Sequence, residues 1–246
     1  MQGGSTSAPE SLGPAIPPGE PCPTCPARVL GVCGAAGNEG LHRFSRAALR
    51  RSHAPQEEIF CQGTPLRHLT NVIEGTIRLS RTLPDGRQQV VGFAQPGSLL
   101  GLRSGATHGH SATALTPART CRVPWPSLEK LLGAYPTMER RLRRIACEEL
   151  EVAEEHMMTL GRKTAPERVA TFLLRLADRA AVRGETGPLS LPMSRADIAD
   201  HLGLRLETVS RAFSDLQRRH VIRQEGARQV IILDRALLAN VAGQHG

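Results

Sequence analysis

The stretch SRADIADHLGLRLETVSRAFSDL, residues 194–216, reads as two short helices joined by a tight turn. Ser194 can accept a hydrogen bond from the backbone three residues on, and Asp197 at that position places negative charge at the positive end of the first helix. Ile198, Ala199 and Leu202 fall on one face of that helix, and Gly203 supplies the turn. In the second helix Val209, Phe213 and Leu216 step by four and three, so one stripe is buried and the other faces outward. Glu207, Ser210 and Arg211 project from the outward side, near the N-terminal half, where a helix laid in the major groove meets base edges. Arg211 can donate two hydrogen bonds to guanine, Glu207 can accept from a cytosine amino group, and Ser210 can bond to several edges. Arg205, Arg218 and Arg219 suit phosphates, which position a protein without specifying sequence. Ile222 to Leu233, broken at Glu225-Gly226, reads as a two-stranded wing, so double-stranded DNA is the expected partner.

Working outward, Pro166 to Val182 reads as another helix with Pro in its first turn and Gly184 beyond its end. Thr137 to Leu160 holds no Gly or Pro, and Ala146, Leu150, Ala153, Met157 and Leu160 form a heptad stripe on a helix of about six turns. Met138, Leu142, Ile145 and Val152 give that helix a second apolar face. One face can pack on its own chain while the other meets a symmetry mate, which a homodimer explains. Glu148, Glu149, Glu151, Glu154 and Glu155 crowd the same helix, and we expect their repulsion to oppose pairing.

From about Ile59 to Pro124 short alternating segments, such as Leu69 to Ile73, Thr76 to Thr82 and Gln88 to Ala94, are separated by Gly and Pro turns. Hairpins closing a small antiparallel roll account for this spacing. His108 and His110 fall in a Gly-rich loop and are expected to be solvated.

Residues 1–21 are rich in Gly, Pro and Ser, with no basic lead into an apolar core, so a disordered tail and a cytoplasmic protein are expected. No apolar run is long enough for a bilayer, so no membrane partner is expected. The net charge is +8, and residues 161–246 carry 14 basic and 9 acidic side chains, which is compatible with DNA. Of the 31 basic residues only Lys130 and Lys163 are lysines, so composition bias contributes to that charge. No nucleophile–base pair or phosphate-binding loop is recognisable, and an enzyme is not expected.

Cys22, Cys25 and Cys33 stand as C-x2-C-x7-C in a Pro- and Gly-rich segment. That spacing suits thiolates converging on one metal centre, with a fourth ligand from elsewhere in the chain.

A β-roll, a long helix and a winged helix-turn-helix bearing Glu207-Thr-Val-Ser210-Arg211 together resemble the Crp/Fnr superfamily of bacterial transcription regulators. The resemblance implies an α+β architecture: a jelly-roll-like antiparallel β-roll of the cyclic-nucleotide-binding-domain fold, a long dimerisation helix and a C-terminal winged helix-turn-helix. It divides the chain into a tail (1–21), a cluster-binding segment and sensory roll (22–136), a dimerisation helix (137–162) and a DNA-binding domain (163–246). The cysteine-bearing N-terminus is similar to that of the Fnr-type oxygen sensors. That implies an oxygen-labile [4Fe-4S] cluster on Cys22, Cys25, Cys33 and Cys121, the last because Cys121-Arg-Val-Pro124-Trp125 matches the family's fourth cysteine. It also implies RNA polymerase as a partner, half-sites like TTGAT, and control of anaerobic or microaerobic metabolism, mainly as an activator.

Cys61 and Cys147 are the other candidates for the fourth place, and a four-cysteine zinc site, a thiol-disulfide switch or an electron carrier are the alternatives to an oxygen sensor. Cyclic nucleotide binding is not expected. Gly97-Ser98-Leu99-Leu100-Gly101 and His108-Gly109-His110-Ser111-Ala112 lack the acid and the arginine that the cyclic-nucleotide branch uses. The recognition helix also departs from the family pattern, with Arg205 where Thr often caps.

Overall fold

Alternating strands and two classes of helix sort the chain into two units, one up to Glu149 and one from Leu150. The computed structural model describes residues 22, 25–102, 105–226 and 228–243. The expectation for the tail at 1–21 lies outside the described residues.

In the first unit, 3-10 turns at Pro26–Arg28 and Val32–Ala35 lead into α1 (Gly37–Ala47). The roll follows as β1 (Leu49–His53), β2 (Glu58–Phe60), β3 (His68–Glu74), β4 (Ile77–Thr82), β5 (Gln88–Ala94), β6 (Leu99–Leu100), β7 (Ser111–Ala114) and β8 (Ala118–Pro124). Two four-stranded sheets result, in the orders β1-β8-β3-β6 and β2-β7-β4-β5. Their pairing is antiparallel throughout, and because each strand is pleated its successive residues face opposite sides. Strand β3 shows the consequence: Val72 enters the cluster formed with Ile59, Ile77 and Leu100, whereas Leu69 and Ile73 face a second cluster.

That second cluster is closed by helices. Phe44 and Leu41 of α1, Leu128 and Leu131 of α2 (Trp125–Ala134) and Met138 and Ile145 of α3 (Pro136–Arg162) pack onto the outer face of the first sheet. Burying such side chains contributes about 1.5–3 kcal/mol each.

The second unit receives the end of α3 and adds α4 (Ala165–Val182), β9 (Leu189–Ser190), α5 (Arg195–Leu202), α6 (Leu206–Arg218), β10 (Ile222–Gln224), β11 (Gln229–Ile232) and α7 (Arg235–Val241). The wing is a three-stranded sheet in the order β10-β11-β9. Thr164 and Glu167 form a capping box at the start of α4, which fixes where the chain turns out of the long helix.

Several elements differ from the sequence expectation. The roll begins at β1, ahead of Ile59, and α1, β9 and α7 were not anticipated. His108 is not solvated: it is 6% exposed and its ring stacks on Phe60 with centroids 3.8 Å apart. A half-apolar imidazole beside a buried aromatic ring has more to gain from stacking than from water.

Candidate DNA interface and thiol site

The helix-turn-helix is built from caps outward. Ser194 Oγ accepts from the Asp197 backbone N–H at 3.0 Å, and the Asp197 carboxylate accepts from the Ser194 backbone N–H at 2.9 Å. Gly203 ends α5 with φ 60°, a left-handed conformation that a β-carbon disfavours. Val209, Phe213 and Leu216 are buried along one side of α6, and the Arg195 guanidinium lies 3.6 Å over the Phe213 ring.

On the opposite side Glu207, Ser210 and Arg211 are all exposed, on adjacent turns. Ser210 Oγ donates to the Leu206 carbonyl at 3.0 Å, which orients its lone pairs outward. Arg205 occupies the cap position of α6 and makes no side-chain capping bond there. Arg218 pairs with Asp215, and Arg219 approaches the same carboxylate at 3.7 Å. Both arginines are exposed, and such exposed pairs contribute little stability, so Asp215 competes weakly with a phosphate for them.

Along α3 the heptad residues are largely uncovered in the chain. Leu150 is 59% and Met157 63% exposed, Ala153 is exposed, and Ala146 and Leu160 are half-buried. Met158 adds a further exposed apolar side chain. The acidic run is partly compensated: Glu148 lies 3.8 Å from Arg144, and Glu155 lies 4.0 Å from Arg175 of α4. Both are loose, exposed contacts at the carboxylate.

The cysteines separate into a group and two outliers. Cys22, Cys33 and Cys121 are buried in the cluster on the outer face of the first sheet, and Cys25 packs against them. Burial pushes the Cys33 thiol up to about 12, with Cys25 and Cys22 raising it further and Arg28 opposing. Cys121 is likewise pushed up to about 12 by burial, then by Cys33 and Cys22, while Arg50 opposes. Arg50 Nη2 donates to Cys22 Sγ at 3.3 Å. The four sulfurs therefore sense one another, although among the described residues no three His, Cys, Asp or Glu side chains are drawn to single-ion distances. Cys61 is outside this group, its thiol raised to about 11 by burial and by Glu58, and Cys147 is exposed on α3.

The donor set fits a metal-sulfur centre. Burial raises the Cys33 and Cys121 thiols, and a cationic centre would offset the cost of holding those two as thiolates. The segment carrying Cys25 and Cys33 is tied to α3: Arg141 Nη2 donates to the Leu30 carbonyl at 2.8 Å and Thr137 Oγ1 to the Ala35 carbonyl at 2.6 Å. Sequence reasoning did not single out Arg50, Thr137 or Arg141, because their roles depend on contacts 28 or more residues away.

Residues 50–135 match the cyclic nucleotide-binding domain model and residues 167–241 the Crp-like helix-turn-helix domain model. The chain is 39% identical to the nitrogen fixation regulation protein FixK of Bradyrhizobium diazoefficiens over 84% of this chain and 87% of that protein. It is 36% identical to the transcriptional activator protein FnrL of Cereibacter sphaeroides over 90% and 92% of the two chains. The structure of FixK2 from Bradyrhizobium japonicum superposes with a TM-score of 0.73 at 43% identity, covering 79% of this chain and 96% of that one. The roll, the long helix, the winged helix-turn-helix and these relatives together place the chain in the Crp/Fnr family of DNA-binding transcription regulators.

Proposed function

We propose that the chain is an oxygen-responsive transcriptional activator of anaerobic or microaerobic metabolism genes, acting in the cytoplasm as a homodimer. Its sensor is a [4Fe-4S] cluster held by Cys22, Cys25, Cys33 and Cys121. The observation that carries this reading is the gathering of three buried thiols, Cys22, Cys33 and Cys121, in one cluster with Cys25 packed against it, alongside a segment hydrogen-bonded to α3. Relatives named as transcriptional activators, FnrL and Anr among them, support its activator part.

When bound, the cluster supplies oxygen-labile iron–thiolate bonds that tie the N-terminal segment to β8. The chain's own residues carry the consequence. Thr137 and Arg141 link the segment to the first turns of α3, and the apolar stripe of Ala146, Leu150, Ala153, Met157 and Leu160 meets its copy in a second chain. Glu149, Glu151 and Glu154, exposed on the same helix, oppose that meeting, so the dimer depends on the segment being ordered. Pairing sets two α6 helices about one DNA turn apart, suited to a TTGAT-type palindrome. Glu207, Ser210 and Arg211 read bases, Arg205, Arg218 and Arg219 hold phosphates, and the bound dimer recruits RNA polymerase. The roll acts as scaffold and binds no cyclic nucleotide, since Gly97 to Gly101 bring no acid to it.

Anaerobic purification with iron and sulfide analysis, a visible spectrum and sedimentation before and after air tests the reading. Brown protein that bleaches, dissociates and releases DNA is expected. Colourless protein carrying zinc would make the four-cysteine site structural, and an air-reversible disulfide without metal would make it a thiol switch.

A further inference from the structure

Polar side chains are out of place on the sheet face that the thiols occupy, and two of them flank Cys121. In the register of the first sheet Arg50 of β1 stands opposite Cys121 of β8, and Asn71 of β3 stands opposite Cys121 from the other side. Directly opposed residues project to the same face, so Arg50, Cys121 and Asn71 form one row across three strands. The neighbours of Asn71 on that face of β3 are Leu69 and Ile73, both buried in the apolar cluster that includes Cys22, Cys33 and Cys121. Asn71 is 7% exposed, and a side chain at Gly31, inside the thiol segment, would meet its amide nitrogen at 2.6 Å. Arg50 is half-buried and donates from Nη2 to Cys22 Sγ at 3.3 Å.

We propose that Arg50 is the charge-compensating and positioning residue of the thiol site, joining Cys22 on the N-terminal segment to the Cys121 row and setting how readily the bound centre is lost to oxygen. The proposal rests on the cluster reading above. Four thiolates carry more negative charge than the metal centre they hold, and a guanidinium beside two of them favours the electron-rich state. A half-buried location makes that cation stronger than a surface one, because water screens it less. The single N–H···S contact also ties Cys22 to β1, the strand paired with β8, and a lysine ammonium can make the same contact.

The test compares the full chain with Arg50→Met and Arg50→Lys, all purified and reconstituted anaerobically. With iron and sulfide contents matched, Arg50→Met is expected to lose its visible absorption in air-saturated buffer about fivefold faster than wild type, and Arg50→Lys to stay near wild type, as a charge-assisted contact implies. Failure of Arg50→Met to retain iron where Arg50→Lys retains it would support the proposal equally. Bleaching of Arg50→Met at the wild-type rate would overturn it. In the metal-free chains, protease cleavage within residues 25–33, read by mass spectrometry, is expected to be about fivefold faster in Arg50→Met, because the tie from β1 to Cys22 is lost. Equal cleavage would overturn the contact. If the wild-type chain takes up no iron and sulfide, the cluster reading fails by itself, and the cleavage arm still decides whether Arg50 holds Cys22.

Discussion

Arg141, in the second turn of α3, donates a 2.8 Å hydrogen bond to the backbone carbonyl of Leu30, in the segment between Cys25 and Cys33. A side chain of the long helix is thus fastened to the backbone of the sensing segment, 111 residues earlier. Arg141→Met removes a charged donor to a part-buried carbonyl, a contact worth about 1.5 kcal/mol, or roughly tenfold in an equilibrium. Iron uptake should persist while anaerobic DNA affinity falls by up to about tenfold, measured by fluorescence anisotropy on a palindromic site. Unchanged affinity would mean that the contact anchors the segment without informing α3.

Gly34 sits beside Cys33 with almost no room. A β-carbon there would lie 2.2 Å from the Arg28 carbonyl oxygen, a backbone atom that cannot swing aside. Gly34→Ala is therefore expected to destabilise the segment by about 1–3 kcal/mol and to lower iron retention. Gly133→Ala is the matched control, since a β-carbon at Gly133 of α2 meets nothing within 4 Å. That change should leave iron retention alone and raise the unfolding midpoint slightly, because Ala favours a helix by about 1 kcal/mol. Equal behaviour of the two variants would contradict the steric argument.

Stability should fall on the acid side of neutrality, and two histidines fix the direction. His53 is buried, its ring bonded to Glu57 at 2.9 Å and to Thr120 at 2.9 Å, and burial lowers its pKa, with Glu57 opposing. His156 stacks on His201 at 4.3 Å, and its pKa is lowered by burial and then by Arg175. A group whose folded pKa lies below its unfolded value of 6.5 binds its proton first in the unfolded chain as pH falls. Both contributions are whole above that value and diminish as pH drops from it toward the folded pKa. Urea midpoints of the metal-free chain measured from pH 8 to pH 5 should be level and then decline, and replacing His53 by Asn should flatten part of the decline. A midpoint that rises with acid would refute the sign.

Arg168 of α4 gathers three backbone carbonyls within the second unit, at the ends of α3 and α5 and in the turn before α4. Its Nε donates to the Lys163 carbonyl at 2.9 Å, Nη2 to Leu160 near the end of α3 at 2.7 Å, and Nη1 to Leu202 at the end of α5 at 2.8 Å. Helix-terminal carbonyls have no partner within their own helix, and a planar fork reaches several of them at once. Arg168→Lys keeps the charge and loses that geometry, so it should cost about 2 kcal/mol. Differential scanning calorimetry of residues 150–246 unfolding within the intact protein would register the shift, and an unmoved transition would assign the clamp no weight.

The recognition module was the most legible part of the sequence because its signals are local. The Ser194 and Asp197 cap, Gly203 and the Val209, Phe213, Leu216 stripe all act within a turn or two of where they are read. Strand β1 carries Arg50, Arg51 and His53 and offers no apolar alternation, since its place in the sheet comes from pairing with β8 nearly seventy residues on. His108 departs from the sequence expectation for the same reason: a Gly-rich loop suggests solvent, and the Phe60 ring that covers it comes from β2. The cysteine spacing was visible at once, whereas the guanidinium beside Cys22 and the fastening to α3 appear only when distant strands and helices meet.

Arg211 offers the sharpest separation between reading a sequence and merely holding DNA. It is exposed on α6 beside Glu207 and Ser210, on the face opposite the buried Val209 and Phe213. A bidentate contact from such a position discriminates one base pair by about 1–3 kcal/mol. Arg211→Ala should therefore weaken binding to the preferred site while leaving sites altered at that one base pair nearly unaffected. Arg205, at the start of the same helix, should behave differently: Arg205→Ala should weaken binding to all sequences alike and reduce the slope of log affinity against log salt by about one. Titrating both variants against a set of single-base-pair substitutions at two salt concentrations separates the roles. A uniform loss for Arg211→Ala with a shallower salt slope would make it a phosphate contact and move base reading to Glu207 and Ser210.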